Sequence, residues 1–360
     1  MTTPIHNPIK ILADATLPQL TNLFPRPFTL TGYKTHNEIP KLLTDHEILL
    51  CRSTLRVDAA LLTNSAIQCV ATASSGIDHI DEDYLNQHQI ALFDAKGSNA
   101  RAVADYVVAT LAALQRLGKS AGNLAGVIGI GEVGSRVVER LEAAGFKVVC
   151  YDPFKDPQDN RYRYGTLEDL MACDLLCLHP NLHASHPFPS KHLLNARFLN
   201  QLKSGVTIIN ASRGGIVDEE ALLASSKPIL YCTDVYSAEP SINPRIIDFA
   251  TLCTPHIAGH SIEAKHAAVV QVSQKIHQHY GLTSPLFELP MPMTHVAASK
   301  HWQDLVLSFY NPMEDTERLK IAVDKKNAFL IQRQAHQFRH DFNQYALSTM
   351  NQQIRLLFAI

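Results

Sequence analysis

The chain has 360 residues, enough for two or three domains and a sizeable core. Its 46% hydrophobic and 18% charged residues are globular proportions, and a formal net charge of −2 supplies no basic field for nucleic acid or anionic membrane. No apolar run approaches the length of a bilayer span and the first ten residues lack a signal-peptide core, so a cytoplasmic protein that binds neither nucleic acid nor membrane is expected.

From Ile9 to about Asn99 short strands and helices alternate. Strands are predicted over Ile9–Ala13, Glu47–Cys51 and Gln68–Thr72, ending at Asp14, at Arg52-Ser53 and at Ala73-Ser74-Ser75-Gly76. Ligands collect at the carboxyl ends of parallel strands, which makes Ser53, Ser74, Gly76 and the adjacent Arg52 candidates, although serines there also shape turns. Ala102, Val103, Tyr106, Val107 and Thr110 then recur at three and four, predicting a long helix over residues 99–117.

The most specific stretch follows. Val127, Ile128 and Ile130 end an apolar strand, and Gly129, Gly131 and Gly134 have the G-x-G-x-x-G spacing. Val137, Val138 and Leu141 continue as a helix, and a second strand over Phe146–Tyr151 ends at Asp152. Each residue has a physical task in holding a dinucleotide. Gly129 permits a tight turn, Gly131 lets backbone approach a pyrophosphate, and Gly134 lets helix and strand pack closely. Amides at the helix start, around Val133, face the phosphates, and Asp152 accepts hydrogen bonds from ribose hydroxyls. A carboxylate there repels a 2′-phosphate, which favours NAD over NADP.

Further strands are predicted over Leu175–Leu178, Val206–Asn210, Ile229–Thr233 and Leu252–Thr254, completing a doubly wound parallel sheet. A helix over Ser261–His279 returns the chain to the first unit, and Pro285, Pro290 and Pro292 mark a linker. Asp324–Tyr345 carries Phe329, Ile331, Ala335, Phe338, Phe342 and Tyr345 near helical spacing, read as one amphipathic helix with a packing or dimer face. The seven cysteines form no C-x-x-C pair, which suits buried, reduced thiols. The eighteen histidines, including His179, His183 and His186 in one loop, form no recognisable ligand set, so no metal is expected.

Three polar residues follow strand ends in the second unit. Arg213 can grip a carboxylate with two parallel hydrogen bonds, His256 can exchange a proton with a hydroxyl or carbonyl oxygen, and Glu239 can fix the tautomer of His256. Singly, each also reads as a surface or loop residue. Together on a nicotinamide-binding sheet they make a hydride-transfer site.

The glycine loop, Asp152, Asn210-Ala-Ser-Arg-Gly-Gly, Asp234 through Glu239-Pro240, and His256-Ile-Ala-Gly resemble, in order, the motifs of the D-2-hydroxyacid dehydrogenases. Ile11-Leu12-Ala13-Asp14, Arg52-Ser53-Thr54, Ser74 to Asp81 and the tail past Pro285 resemble a branch of that family with an added dimerisation domain. The resemblance implies two doubly wound, Rossmann-like α/β domains plus a small C-terminal α/β dimerisation domain, a homodimer, and NAD-dependent oxidation of a small phosphorylated hydroxy acid. It implies a substrate domain of residues 1–98 and 260–284, an NAD-binding domain of 99–259, and the tail domain at 285–360. It makes Arg213 and Glu239 active-site residues and His256 the proton-transfer residue. Ser53, Ser74 and His260 become substrate positions. Gly129, Gly131, Val133, Gly134, Asp152, Pro180, Asp234 and Gly259 become NAD positions, in a cleft between the first two domains. Four positions depart from the branch: Pro180 replaces a threonine, His260 a tyrosine, Tyr236 a tryptophan, and Ser74 stands where threonine is commoner. Two other readings stay open: action on another D-2-hydroxy acid such as 3-phosphoglycerate, and a non-catalytic NADH-sensing protein.

Overall fold

The computed structural model describes residues 8–119, 122–156, 158–288, 294–296, 299, 301–336, 339–347 and 352–358. Contacts divide the chain into two compact units, Met1–Asn99 with Ile262–Met291, and Ala100–Ser261 with Pro292–Ile360.

The first unit is built on five strands: β1 (Ile9–Asp14), β2 (Phe28–Tyr33), β3 (Ile48–Cys51), β4 (Cys69–Thr72) and β5 (Ala91–Phe93). They pair in parallel in the order β2-β1-β3-β4-β5. Alternation along β1 serves both faces of the sheet. Ile11 and Ala13 pack with Val269, Val272 and Ile276 of the helix Ile262–His279, and Leu12 packs with Tyr33, Leu49 and Val70 on the other side. The edge strands β2 and β5 were not among the predicted strands. Phe28–Tyr33 is interrupted by threonines and a glycine, and β5 has only three residues, so neither forms a continuous apolar run.

The second unit has six parallel strands: β6 (Leu124–Ile128), β7 (Lys147–Tyr151), β8 (Leu175–Leu178), β9 (Thr207–Asn210), β10 (Leu230–Thr233) and β11 (Leu252–Cys253). Their order is β11-β10-β9-β8-β6-β7, so the chain switches direction across the sheet beside β6, where ligands bind in doubly wound folds. Val127, Cys177, Ile209 and Cys232 fill one face, and Ile128, Leu176, Leu178 and Ile208 the other. The long helix predicted over residues 99–117 is Ala100–Arg116, with fourteen of its seventeen residues buried.

The tail packs as part of this second unit. Its helices are Trp302–Phe309, Pro312–Ile321, Lys325–Ala335 and Gln352–Phe358, and β12 (Thr294–Val296) pairs in parallel with β13 (Tyr345–Leu347). Leu305, Val306, Phe342, Leu357 and Phe358 share a core with Val103 and Tyr106 of the long helix. The single helix expected over Asp324–Tyr345 is corrected: it starts at Lys325 and ends at Ala335. Phe342 instead sits in a short 3-10 turn, with Phe309 and Phe358 each 5.6 Å away, and Tyr345 stacks on Phe309 at 3.9 Å. Their helical spacing was coincidental, because aromatic packing fixes both. Phe338, Pro290 and Pro292 lie outside the described residues. Among the described residues no helix is long and apolar enough to cross a membrane.

Candidate active site

The glycine loop joins β6 to the helix Glu132–Ala143. Gly129 has φ +85°, a left-handed conformation that few L residues adopt. A Cβ on Gly134 would lie 1.9 Å from the Gly129 carbonyl oxygen, so only glycine lets the helix start there. A Cβ on Gly131 would meet nothing within 4 Å, leaving open space against the backbone where a pyrophosphate is expected. Asp152, one residue past β7, accepts from the Ile130 amide at 2.8 Å and, through its other oxygen, from the Phe154 amide at 3.0 Å. It thus shapes the glycine loop as well, while each oxygen keeps a lone pair for a ribose hydroxyl. An open helix start, a close backbone approach and an acid at the next strand end fit NAD. Val133 is half-buried in the first turn of that helix. Pro180 lies directly against the turn: a Cβ on Gly129 would come within 2.6 Å of the Pro180 nitrogen. Beside it His179, which the sequence placed in one loop with His183 and His186, has buried ring nitrogens, and burial pushes its pKa down to about 3.

Arg213, Glu239 and His256 occupy three adjacent carboxyl-end loops, after β9, β10 and β11. Asn210 shapes the first: its side chain donates to the Arg213 carbonyl at 3.0 Å and accepts from the Ser212 amide at 3.2 Å. Arg213 Nη1 donates to the Ser212 carbonyl at 2.9 Å. Gly214 is required by close approach, because a Cβ there would sit 2.0 Å from the Tyr236 carbonyl carbon. That contact sets the Arg213 loop against the loop carrying Glu239.

The structure brings Glu239 and His256 together. Oε2 of Glu239 lies 2.6 Å from Nδ1 of His256, and Oε1 accepts from the Tyr236 amide at 2.9 Å. Burial raises the Glu239 pKa, but the His256 charge and these hydrogen bonds outweigh it, so the carboxyl is held below its usual range. The His256 side chain stays 32% exposed.

Asp234, expected at the cofactor, is buried at 1% exposure beneath this loop. Its oxygens accept from Thr254 Oγ1 and the Ile257 amide, both at 2.7 Å, and from the Ala258 amide at 2.8 Å. Burial pushes its pKa up to about 6, with the His256 charge opposing. Gly259 and His260 follow in a turn closed by the His260 amide donating to the Ile257 carbonyl at 2.9 Å. Tyr236 donates its hydroxyl to the Thr254 carbonyl at 3.0 Å.

The remaining expected residues belong to the first unit. Ser53 is exposed after β3, and half-buried Ser74 follows β4, where its carbonyl accepts from the Ala95 amide at 3.0 Å. Arg52 Nη1 donates to Thr16 Oγ1 at 2.6 Å and Nε lies 3.6 Å from Asp14, at the β1/β3 switch point. Burial first, and then the Arg52 charge, lower the Lys265 pKa, which puts a second cation in range of Arg52. Lys265, like Arg333 beside Glu239, left no local signal in the sequence, because the charged group nearest each lies far away along the chain.

Residues 104–258 match the family model of the D-isomer specific 2-hydroxyacid dehydrogenase NAD binding domain, and residues 28–138 match the catalytic domain of the same family. A Legionella pneumophila protein named erythronate-4-phosphate dehydrogenase is 53% identical over 337 residues, 94% of this chain and 96% of its own. A Coxiella burnetii protein of the same name is 33% identical over 351 residues, 94% of this chain and 95% of its own. Among solved structures, D-lactate dehydrogenase from Aquifex aeolicus, complexed with NAD and lactic acid, shares the fold with a TM-score of 0.63 at 23% identity, covering 76% of this chain and 95% of that one.

Proposed function

The chain belongs to the D-isomer specific 2-hydroxyacid dehydrogenase family, and on that premise we propose that it oxidises 4-phospho-D-erythronate to (R)-3-hydroxy-2-oxo-4-phosphooxybutanoate with NAD, a step of pyridoxal 5′-phosphate (vitamin B6) biosynthesis. The substrate rests on the 53% identical relative. The chemistry rests on one observation, the 2.6 Å contact between Glu239 and His256 on the sheet that carries the glycine loop.

NAD supplies the hydride acceptor. Glu239 accepts a hydrogen bond from the Nδ1–H of His256, which leaves Nε2 to take the proton of the C2 hydroxyl. The same carboxylate stabilises the imidazolium that results. Arg213 anchors the substrate carboxylate and polarises the C2 oxygen as it becomes a carbonyl. Val133, Gly131 and Asp152 hold the dinucleotide, with Gly129 and Gly134 giving the loop its shape. Gly259 and Pro180 line it, and Asp234 supports it from beneath the His256 loop. Ser53, Ser74 and His260 are assigned to the substrate, and Arg52 with Lys265 to its phosphate. The protein works in the cytoplasm as a homodimer, to which the tail, residues 285–360, contributes the dimerisation domain. Exposed Ile321, Val323, Leu330 and Ile331 on and between its helices support that assignment.

The test is NADH formation across 4-phospho-D-erythronate, 3-phospho-D-glycerate, D-erythronate and D-lactate. The proposal requires kcat/KM to be highest for the four-carbon phosphorylated acid. A preference for 3-phospho-D-glycerate would reassign the substrate, and NADH binding without turnover of any acid would make the protein a sensor.

A further inference from the structure

Two arginines of the tail end at the loops that carry Glu239 and His256. Arg339 is 6% exposed, and its guanidinium lies 4.7 Å over the Tyr310 ring. Its Nη2 donates to the Ala258 carbonyl, and to the Ala102 carbonyl at 3.2 Å. Ala258 stands two residues past His256, and its amide is already held by Asp234. One peptide segment is therefore fixed from both sides, by β10 through its amide and by the tail through its carbonyl. Farther along, the Phe342 amide donates to Asp105 Oδ2 at 2.8 Å, and Asp105 pairs with buried Arg140. These contacts fasten the segment after Arg339 to the long helix. The second arginine, Arg333, places Nη1 3.9 Å from Oε2 of Glu239, the oxygen that faces His256.

We propose that the tail completes the catalytic site: Arg339 is a positioning residue that fixes the 256–260 loop through the Ala258 carbonyl, and Arg333 balances the charge on the carboxylate that orients His256. This rests on the assignment of His256 as the proton-transfer residue. His256 has φ +56°, a left-handed conformation that persists in a non-glycine residue only where its surroundings over-determine it. Asp234 and Arg339 supply that constraint. Among the described residues, the charged groups around the pair include Arg333 on the tail, Asp234 under the loop, and Glu219, which accepts from the Ser237 amide at 2.8 Å. Without the Arg333 cation, nothing on the tail offsets the Glu239 carboxylate, and its field on the His256 ring is stronger.

The experiment uses the full chain with Arg339→Ala, Arg339→Lys and Arg333→Gln, read by steady-state kinetics, NADH affinity and amide hydrogen exchange. Arg339→Ala is expected to lower kcat about 100-fold, to leave NADH affinity within about threefold, and to speed exchange at the Ile257 and Ala258 amides; Arg339→Lys recovers part of each loss. Arg333→Gln is expected to move the acid limb of the kcat/KM profile to higher pH with KM retained. Folded Arg339→Ala with normal kcat and unchanged exchange at those amides would overturn the proposal. If Arg339→Ala does not fold, an unmoved acid limb in Arg333→Gln overturns it. If the wild type turns over none of the acids, the functional reading fails, while exchange at Ile257 and Ala258 still decides whether Arg339 holds the loop.

Discussion

Glu239 holds Nδ1 of His256 with one oxygen and the Tyr236 amide with the other, at 2.6 and 2.9 Å, so the carboxylate cannot rotate without giving up a bond. An ionised carboxylate only accepts, which assigns the Nδ1 proton to His256 and leaves Nε2 toward the substrate. Glu239→Gln keeps the shape and removes the charge. It is expected to lower kcat by about 10²–10⁴-fold while substrate KM and NADH affinity hold. Loss of KM with kcat intact would mean that Glu239 binds substrate.

Gly131 and Gly214 separate binding from folding. A methyl on Gly131 enters open space, so Gly131→Ala should unfold at nearly the wild-type temperature yet bind NADH at least about tenfold more weakly, as the methyl keeps the pyrophosphate from the backbone. A methyl on Gly214 strikes the Tyr236 backbone at 2.0 Å, so Gly214→Ala should lose several kcal/mol, about the upper range of single substitutions, or yield no soluble protein. Thermal unfolding and NADH fluorescence titration measure both. Equal loss of stability in the two variants would show that Gly131 is structural.

Asp234 and Glu239 flank the same histidine but shift in opposite directions. Burial raises Asp234 to about 6, so between its unfolded value of 3.8 and 6 the folded state binds the extra proton. Stability from this group is therefore present at low pH and lost as pH rises through that window, on the order of 2–3 kcal/mol in all. Glu239 is lowered, so its contribution is present above its unfolded value of 4.5 and is lost as pH falls through its depressed folded value. Asp234→Asn removes the first effect. Its stability penalty against wild type should be larger at pH 4 than at pH 7, followed by urea unfolding. A penalty that grows with pH would show that Asp234 is charged throughout.

The predicted strands matched because parallel strands are buried on both faces and read as unbroken apolar runs, as Leu175–Leu178 and Ile48–Cys51 do. The edge strand Phe28–Tyr33 carries exposed polar positions and gives no such run. The glycine loop, Asp152 and the Glu239–His256 pair were legible because turn chemistry and strand ends place them locally. Buried Asp234 was expected at the cofactor, and its hold on the His256 loop depends on amides more than twenty residues away, which no local pattern shows. Arg333 and Arg339 reach the site across 94 and 81 residues, a separation that no local pattern encodes.

Arg52 tests the assignment of the phosphate. Its guanidinium is held by Thr16 and Asp14 while its side chain stays 41% exposed, so it has hydrogen-bonding capacity left for a ligand. Asp14 is 7% exposed and keeps the Thr16 amide and hydroxyl on its other oxygen at 2.9 and 2.6 Å, so Arg52→Ala should fold with a stability loss of about 1–3 kcal/mol. Losing a charge-assisted contact to phosphate costs about 1.5–3 kcal/mol, or roughly 10- to 150-fold in kcat/KM for 4-phospho-D-erythronate. D-erythronate, which lacks the phosphate, should be used equally well by wild type and variant, and NADH affinity should not change. A comparable loss on both acids would move Arg52 from the phosphate to a general role in the first unit.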